Sequence, residues 1–315
     1  MDVRKAILFG LTTSPKYIPG WYRYDEDGSK LNDKCLEDTD YYVHRSELNV
    51  MQTKIAAMLE HDTQYTALVD MGSGNCQKTR FFIDELLKYQ DKIHFYPIDI
   101  SKEFLFETCG RLSAEYADKL DITPIAADYE NGINKASKCP HSKLILWFSS
   151  IQCLEAEDQV RKLRQIKSVL TDKCCLIFSV DITQDKESVM KAYGDVHAIN
   201  FYMNSIQRLK REELCTINPD NYKLEVQFVQ EDSPHKMSSV QVLLRSQLNN
   251  SFKLPFLGIT VDMAEGEPLY LHEGVGISHK FTMQQVQRLV QESGLRLVET
   301  WQDDQHHVVF CKCKA

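Results

Sequence analysis

The stretch ALVDMGSGNCQKTR, residues 67–80, decides the fold. Its apolar half reads as a buried strand. Asp70-Met-Gly-Ser-Gly then reads as a sharp turn, and the polar end as the start of a helix. Gly72 and Gly74 can take positive φ and bring backbone close to a ligand, because neither carries a Cβ. The first amides of the following helix lack intrahelical partners and are expected to face that ligand. Two ligand classes use such strand–glycine–helix turns, dinucleotides and S-adenosylmethionine. The dinucleotide pattern wants a third glycine three residues after the second, where helix packs on strand. Gln77 stands there, which weighs against a dinucleotide.

Two further runs extend the pattern. IHFYPID (93–99) ends in Asp99. At the tip of a second strand, a carboxylate accepts two hydrogen bonds from the vicinal diol of a ribose. ITPIAAD (122–128) ends in Asp128-Tyr129, suited to an adenine amino group and a stacking ring. The competing reading is that these acids cap helices; Asp99 precedes Ile-Ser-Lys-Glu, an ordinary helix start. Three strands ending in series with glycines, Asp and Asp-Tyr favour the nucleoside reading.

Bulk properties exclude several classes. The 315 residues supply core for one large domain or two small ones. Net charge is −8 and pI about 5.7, with no basic block interleaved with aromatics. Nucleic acid is therefore not expected as a partner, since its binding leans on neutralising phosphates. The ten cysteines are scattered; none forms a CxxC pair, so neither a metal site nor a disulfide framework is expected. Reduced thiols in a cytoplasmic protein are the simple account. Residues 6–11 (AILFGL) are too short for a signal-peptide core. No run approaches the roughly 18–20 apolar residues of a membrane span. A monomer is the expectation.

Residues 1–45 show no clean periodicity. From residue 46 onward strands and helices alternate: a helix over 46–59, the glycine loop, and helices at about 77–90 and 101–117. Strands are expected near 93–99, 121–127, 144–150 and 174–182, with an amphipathic helix over 155–170. This alternation predicts a doubly wound parallel sheet. It stops after residue 182. Residues 183–210 read as helical and 222–275 as β-like. The first pattern then resumes with TMQQVQRLVQESG, a helix ended by Gly294, and a terminal hairpin of LRLVETWQ and HHVVFCKCK. The expected fold is α/β, a Rossmann-like S-adenosylmethionine methyltransferase sheet with an inserted α+β substrate domain. Its cofactor domain spans 46–182 plus 280–315, and 1–45 plus 183–279 form the substrate-binding lid.

Several blocks together carry a family resemblance: IPGWYRYDEDGSKLND with DYYVHRSE, then MGSGNCQKTR, YPIDIS, AADY, AYGD before INFYMNSIQRL, and ISHKFT. In order and spacing the chain resembles the histidine Nα-methyltransferase of ergothioneine biosynthesis and the related fungal prenyl-tryptophan N-methyltransferases. The resemblance implies S-adenosyl-L-methionine as cofactor, with contacts at Tyr24, Gly72, Lys78, Asp99, Asp128 and Tyr129. Ser73, Gly74, Ile100 and Phe148 complete the candidate cofactor set. Lys78 is implied to pair with the methionine carboxylate, although a lysine in a first helical turn is usually solvated. On the acceptor side the resemblance implies Tyr41 beside the substrate side chain and Tyr193 holding its carboxylate, with Ser278 a further match. Tyr41 and Tyr193 are the candidate catalytic residues.

Two departures bear on the acceptor. The family asparagine that holds the substrate amino group is replaced by Cys153, a poor hydrogen-bond partner. The family glutamate that grips the imidazole is replaced by Gly276, which removes that partner and is expected to open volume. Cys153 and Gly276 therefore join the substrate-binding candidates, and histidine is disfavoured. A small-molecule amine or amino acid with an aromatic or bulky side chain is the expected acceptor. In an aromatic pocket an ammonium loses its proton more readily, and tyrosine faces stabilise a growing methylammonium by roughly 0.5–2 kcal/mol. The alternatives are a histidine enzyme with a remodelled site, methylation of a protein side chain or non-amine atom, and a cofactor-binding module without catalysis.

Overall fold

The computed structural model describes residues 2–38, 40–60, 65–233, 235–274 and 276–315. The chain divides into two compact units. One comprises Tyr42–Gln184, Ser233–Met237 and Lys280–Ala315; the other comprises Met1–Tyr41, Asp185–Asp232 and Ser238–His279.

The first unit is built on an eight-stranded sheet. Its strand order is Arg296–Gln302, Val308–Lys314, Cys175–Asp181, Lys143–Phe148, Ala67–Met71, Ile93–Asp99, Leu120–Ile122, with Ile125–Ala126 also paired to Ile93–Asp99. Val308–Lys314 runs antiparallel to both neighbours, whereas the pairs from Cys175–Asp181 outward to Leu120–Ile122 are parallel. The three central strands, ALVDM, KLILWF and CLIFSVD, are buried at every position. That is why they read as continuous apolar runs, the signature of a parallel sheet covered on both faces. Helices Tyr129–Ala136, Ala156–Val169 and Met283–Ser293 supply Ile133, Leu163, Ile166, Val286 and Leu289 to the same core. The expected single strand over 121–127 is two short pieces on either side of Thr123-Pro124, since proline has no N–H for the ladder. Met283–Ser293 carries a full capping box from Thr282 and Gln285 and ends on Gly294 at φ +73°.

Ala67–Met71 is flanked by Ile93–Asp99 on one side and Lys143–Phe148 on the other. The chain therefore moves outward in one direction first and returns to build in the other. Loops leaving the strands at that reversal diverge, and open α/β sheets bind ligands there.

The second unit pairs Tyr222–Val229 antiparallel with Ser238–Ser246, and extends that pair through Pro268–Tyr270 to Lys16–Tyr17. Asn250–Leu254 and Ile259–Met263 form a separate hairpin. Residues 1–45, whose sequence shows no clean periodicity, contain helices Val3–Thr12 and Glu26–Glu37. The second of these hides from an apolar count because its buried face is Gly28, Ser29 and Cys35. A Cβ on Gly28 would fall 1.8 Å from the Arg23 carbonyl, so only glycine fits. The expected helix over 183–210 is two, Lys186–Tyr193 and Val196–Glu213. Gly194 ends the first and Asp195 N-caps the second. Among the described residues no helix is long and apolar enough to cross a membrane.

Candidate functional site

In the sheet-bearing unit the glycine loop leaves the central strand at its carboxyl end. Gly72 and Gly74 lie at φ +79° and +52°, where a side chain would be strained. The amides of Gly72 and Ser73 both donate to the Ile98 carbonyl, at 2.8 and 3.1 Å. The Gly74 amide donates to Asp99 Oδ2 at 3.0 Å. Glycine loop and Asp99 are therefore one hydrogen-bonded structure. A Cβ on Gly72 would sit 3.2 Å from Ser150 Oγ and 3.3 Å from the Tyr129 hydroxyl, whereas one on Gly74 would enter open space. Gly72 makes room for neighbouring side chains, and Gly74 leaves bare backbone facing outward.

The structure shows the turn-capping role of Asp99. Its Oδ1 accepts from the Ser101 amide at 2.9 Å, yet the carboxylate, with about four lone-pair sites, keeps acceptor capacity. Burial raises its pKa against the amides of Ser101, Gly74 and Ile100, which pull it down. Asp128 is a helix cap, accepting from the Asn131 amide at 2.9 Å. Burial pushes its carboxyl up, but the Asn131 amide and side chain outweigh that and leave it below the usual range. The expectation that the first helical amides face a ligand fails at Gln77, whose N–H is capped by the Asn75 side chain at 3.0 Å. Ile100 is 41% exposed. Phe148 is a core residue, packed between Phe82 and Phe310 with ring centroids 5.5 Å away on each side. Tyr129 packs its ring 5.3 Å from Trp147. Cys153 is exposed, and its thiol donates to the Ser149 carbonyl over 3.8 Å.

Lys78 is not a solvated first-turn lysine. Its ammonium lies 2.9 Å from Glu47 Oε2 and 5.7 Å from the centre of the Phe148 ring. Sequence reasoning missed Glu47, and with it Ser149 and Ser179, whose hydroxyls also donate to that carboxylate. A signal existed: Glu47 falls in register with buried Val43 and Met51 on the inner stripe of helix Tyr42–Leu59. Asp70 was also passed over. It is buried under the loop, takes a hydrogen bond from the Thr79 hydroxyl, and is pushed up to about 6 by burial.

The second unit holds the acceptor candidates Tyr41, Tyr193, Gly276 and Ser278, whereas Cys153 belongs to the sheet-bearing unit. The Tyr193 hydroxyl, at the end of helix Lys186–Tyr193, donates to Ser278 Oγ at 2.9 Å. The Tyr41 ring stands edge-on to Tyr193, with centroids 5.6 Å apart. Burial, and then Tyr193 beside it, hold the Tyr41 phenol well above its usual pKa; it keeps its proton near neutrality. Tyr24 packs 5.0 Å from Phe201, and Arg23 lies over Phe201 and Tyr202 at 5.4 and 5.5 Å. Arg23, Phe201 and Tyr202 lie inside sequence blocks already quoted, yet nothing in their spacing singled them out.

One expectation is overturned here. Gly276 does not open volume: a Cβ on it would lie 2.7 Å from both Ser239 Cβ and the Val240 carbonyl. The space beside it is filled by the neighbouring strand. The nearby Glu273 carboxylate does not replace the missing partner freely either, since it accepts from the Gly20 amide at 2.5 Å.

Comparison with known proteins bears on these arrangements. A family profile described as "Histidine-specific methyltransferase, SAM-dependent" matches residues 3–315. The histidine N-alpha-methyltransferase of Mycolicibacterium smegmatis is 24% identical over 303 residues, covering 96% of this chain and 91% of that protein. The 4-dimethylallyltryptophan N-methyltransferase of Trichophyton verrucosum is 21% identical over 336 residues, covering 100% of this chain and 94% of the relative. Among solved structures, magnesium protoporphyrin IX methyltransferase from Synechocystis matches with a TM-score of 0.48 at 10% identity, over 92% of this chain and 95% of that one.

Proposed function

This chain belongs to the histidine-specific, S-adenosylmethionine-dependent methyltransferase family, and on that premise we propose that it methylates the amino nitrogen of a small amine or amino acid other than histidine. Dependence on S-adenosylmethionine comes with the family. The donor half of the proposal is supported by the open backbone at Gly74 joined to the Asp99 carboxylate. Asp99 has lone pairs to accept from ribose hydroxyls, Lys78 offers a cation to the amino-acid tail, and Ile100 gives the base an apolar face. Ser73, Asp128, Tyr129 and Phe148 shape the surrounding wall. S-adenosylmethionine supplies an electrophilic methyl group, so the protein's task is to align, desolvate and manage one proton.

For the acceptor, the observation that carries the reading is the hydroxyl pair Tyr193–Ser278 beside the Tyr41 ring. These groups accept from an amine, while desolvation in the buried pocket lowers its affinity for the proton. Tyr41, held protonated by burial, serves as a donor and relay rather than as a phenolate base. The relatives named for histidine and for a prenylated tryptophan both act on amines, which supports a nitrogen acceptor. The case against histidine rests on Gly276, where packing against Ser239 and Val240 leaves no room for a carboxylate, and on the thiol at Cys153. Mass spectrometry of a pooled amine and amino-acid panel incubated with enzyme and S-adenosylmethionine tests it. A methylated amine other than histidine is expected; histidine gaining methyl mass as readily as any other component refutes the substrate assignment.

A further inference from the structure

Glu47 sits in the middle of helix Tyr42–Leu59 with 1% of its side chain exposed. An ionised carboxylate out of water is strongly disfavoured unless donors surround it. Here they do. Oε2 takes the Lys78 ammonium at 2.9 Å, and Oε1 takes the Ser149 hydroxyl at 2.7 Å together with the Ser179 hydroxyl. Burial alone would raise its pKa, but Lys78 and the two hydroxyls outweigh it and hold the carboxyl below the usual range.

Two of these donors flank the glycine loop. Lys78 lies in the first turn of the helix that leaves it. Ser149 follows strand Lys143–Phe148 at φ +57°, a conformation strained for a non-glycine residue. Its amide donates to Ser179 Oγ at 3.0 Å and its hydroxyl to Glu47, which together hold it there. The next residue, Ser150, places Oγ 3.2 Å from where a Cβ on Gly72 would stand. One buried carboxylate thus fixes a cation on one flank of the loop and a strained turn on the other. Lys78 keeps 20% of its side chain exposed. An ammonium has three donors, so an anion can approach while Glu47 restrains the flexible stem.

We propose that Glu47 is a positioning residue for the methyl-donor site: it presents Lys78 to the carboxylate of the donor's amino-acid tail. This rests on the reading of Lys78 as a contact to that tail.

Calorimetry on the full chain tests the proposal with two ligands, S-adenosylhomocysteine and 5′-methylthioadenosine, which lacks the amino-acid tail. Lys78→Met should weaken S-adenosylhomocysteine about tenfold or more, the loss of a charge-assisted hydrogen bond, and change 5′-methylthioadenosine less than about twofold. Glu47→Gln should reproduce that selective loss, and the double variant should add little, because the two residues act as one unit. Equal weakening of both ligands by Glu47→Gln would reduce Glu47 to scaffold and overturn the proposal. So would unchanged S-adenosylhomocysteine affinity in Glu47→Gln when Lys78→Met loses it. Unchanged affinity in Lys78→Met would instead remove the reading of Lys78 on which the proposal stands. If Glu47→Gln does not fold, Glu47→Asp retains the charge but draws it back by one methylene. A wild-type ratio of the two affinities in that variant would overturn the proposal as well.

Discussion

Lys280 places its ammonium 2.6 Å from Asp181 Oδ2, and neither side chain exposes any surface. The same oxygen accepts from the Tyr42 hydroxyl at 2.8 Å, while Oδ1 takes the Thr183 amide at 2.8 Å. Three distant segments of the sheet-bearing unit therefore meet on one carboxylate. Removing one member of a buried pair strands the other, at a cost of about 3–5 kcal/mol. Lys280→Met should lower the unfolding midpoint in urea accordingly. Adding Asp181→Asn to it should recover part of the loss, since no uncompensated charge then remains. A Lys280→Met variant as stable as the parent would contradict this account of the pair.

The two loop glycines should respond differently to alanine. Both lie at positive φ, so each variant carries about 1–2 kcal/mol of backbone strain. Gly72→Ala must also displace Ser150 Oγ or the Tyr129 hydroxyl, whereas Gly74→Ala meets nothing within 4 Å. Melting temperature should therefore fall further for Gly72→Ala. Affinity for S-adenosylhomocysteine should nonetheless fall about tenfold or more for Gly74→Ala, equivalent to about 1.4 kcal/mol. Wild-type affinity in that variant would mean the bare backbone at 74 is not where the ligand lies.

Asp70 carries a pH signature. Burial raises its pKa to about 6 in the folded chain against an ordinary value of 3.8. Between those values the folded state holds a proton that the unfolded state has released. Its contribution to stability is thus present below about pH 4 and is lost as pH rises through about 6. Asp70→Asn retains an acceptor for Thr79 and removes the titration. The difference in melting temperature, variant minus parent, should grow more positive from pH 4 to pH 7. A flat difference would refute the raised pKa.

Gly276→Glu should not create histidine activity. Its Cβ alone would meet Ser239 and the Val240 carbonyl at 2.7 Å, and overpacking of this kind costs about 1–3 kcal/mol. The expected outcome is a destabilised chain with unchanged acceptor preference, read by melting temperature and by competition between histidine and other amines. A stable variant that prefers histidine would show that the strand beside Gly276 yields.

Much of the sheet-bearing unit was legible because buried parallel strands read as apolar runs closed by glycine or acid, as ALVDM–Gly72 and IHFYPID do. Helix Glu26–Glu37 was not, because small residues rather than aliphatics form its inner face. In the site, residues adjacent in sequence could be read, as with the glycine loop. The burial of Glu47 could be read from its helical register, but not its partners: Lys78, Ser149 and Ser179 lie 31, 102 and 132 residues away, and only folding brings them together. Gly276 was misread for a related reason. A missing side chain means space only if nothing else moves in, and the neighbouring strand carrying Ser239 does.

The central claim is that the methyl group of S-adenosylmethionine passes to the nitrogen of a small amine. Incubating the full chain with donor carrying a trideuteromethyl group and a pooled amine panel, then fragmenting every labelled product by mass spectrometry, tests it directly. The account predicts an intact trideuteromethyl on the amino nitrogen of a panel member other than histidine. Label on carbon, oxygen or a protein side chain, with the amines unlabelled, would contradict it.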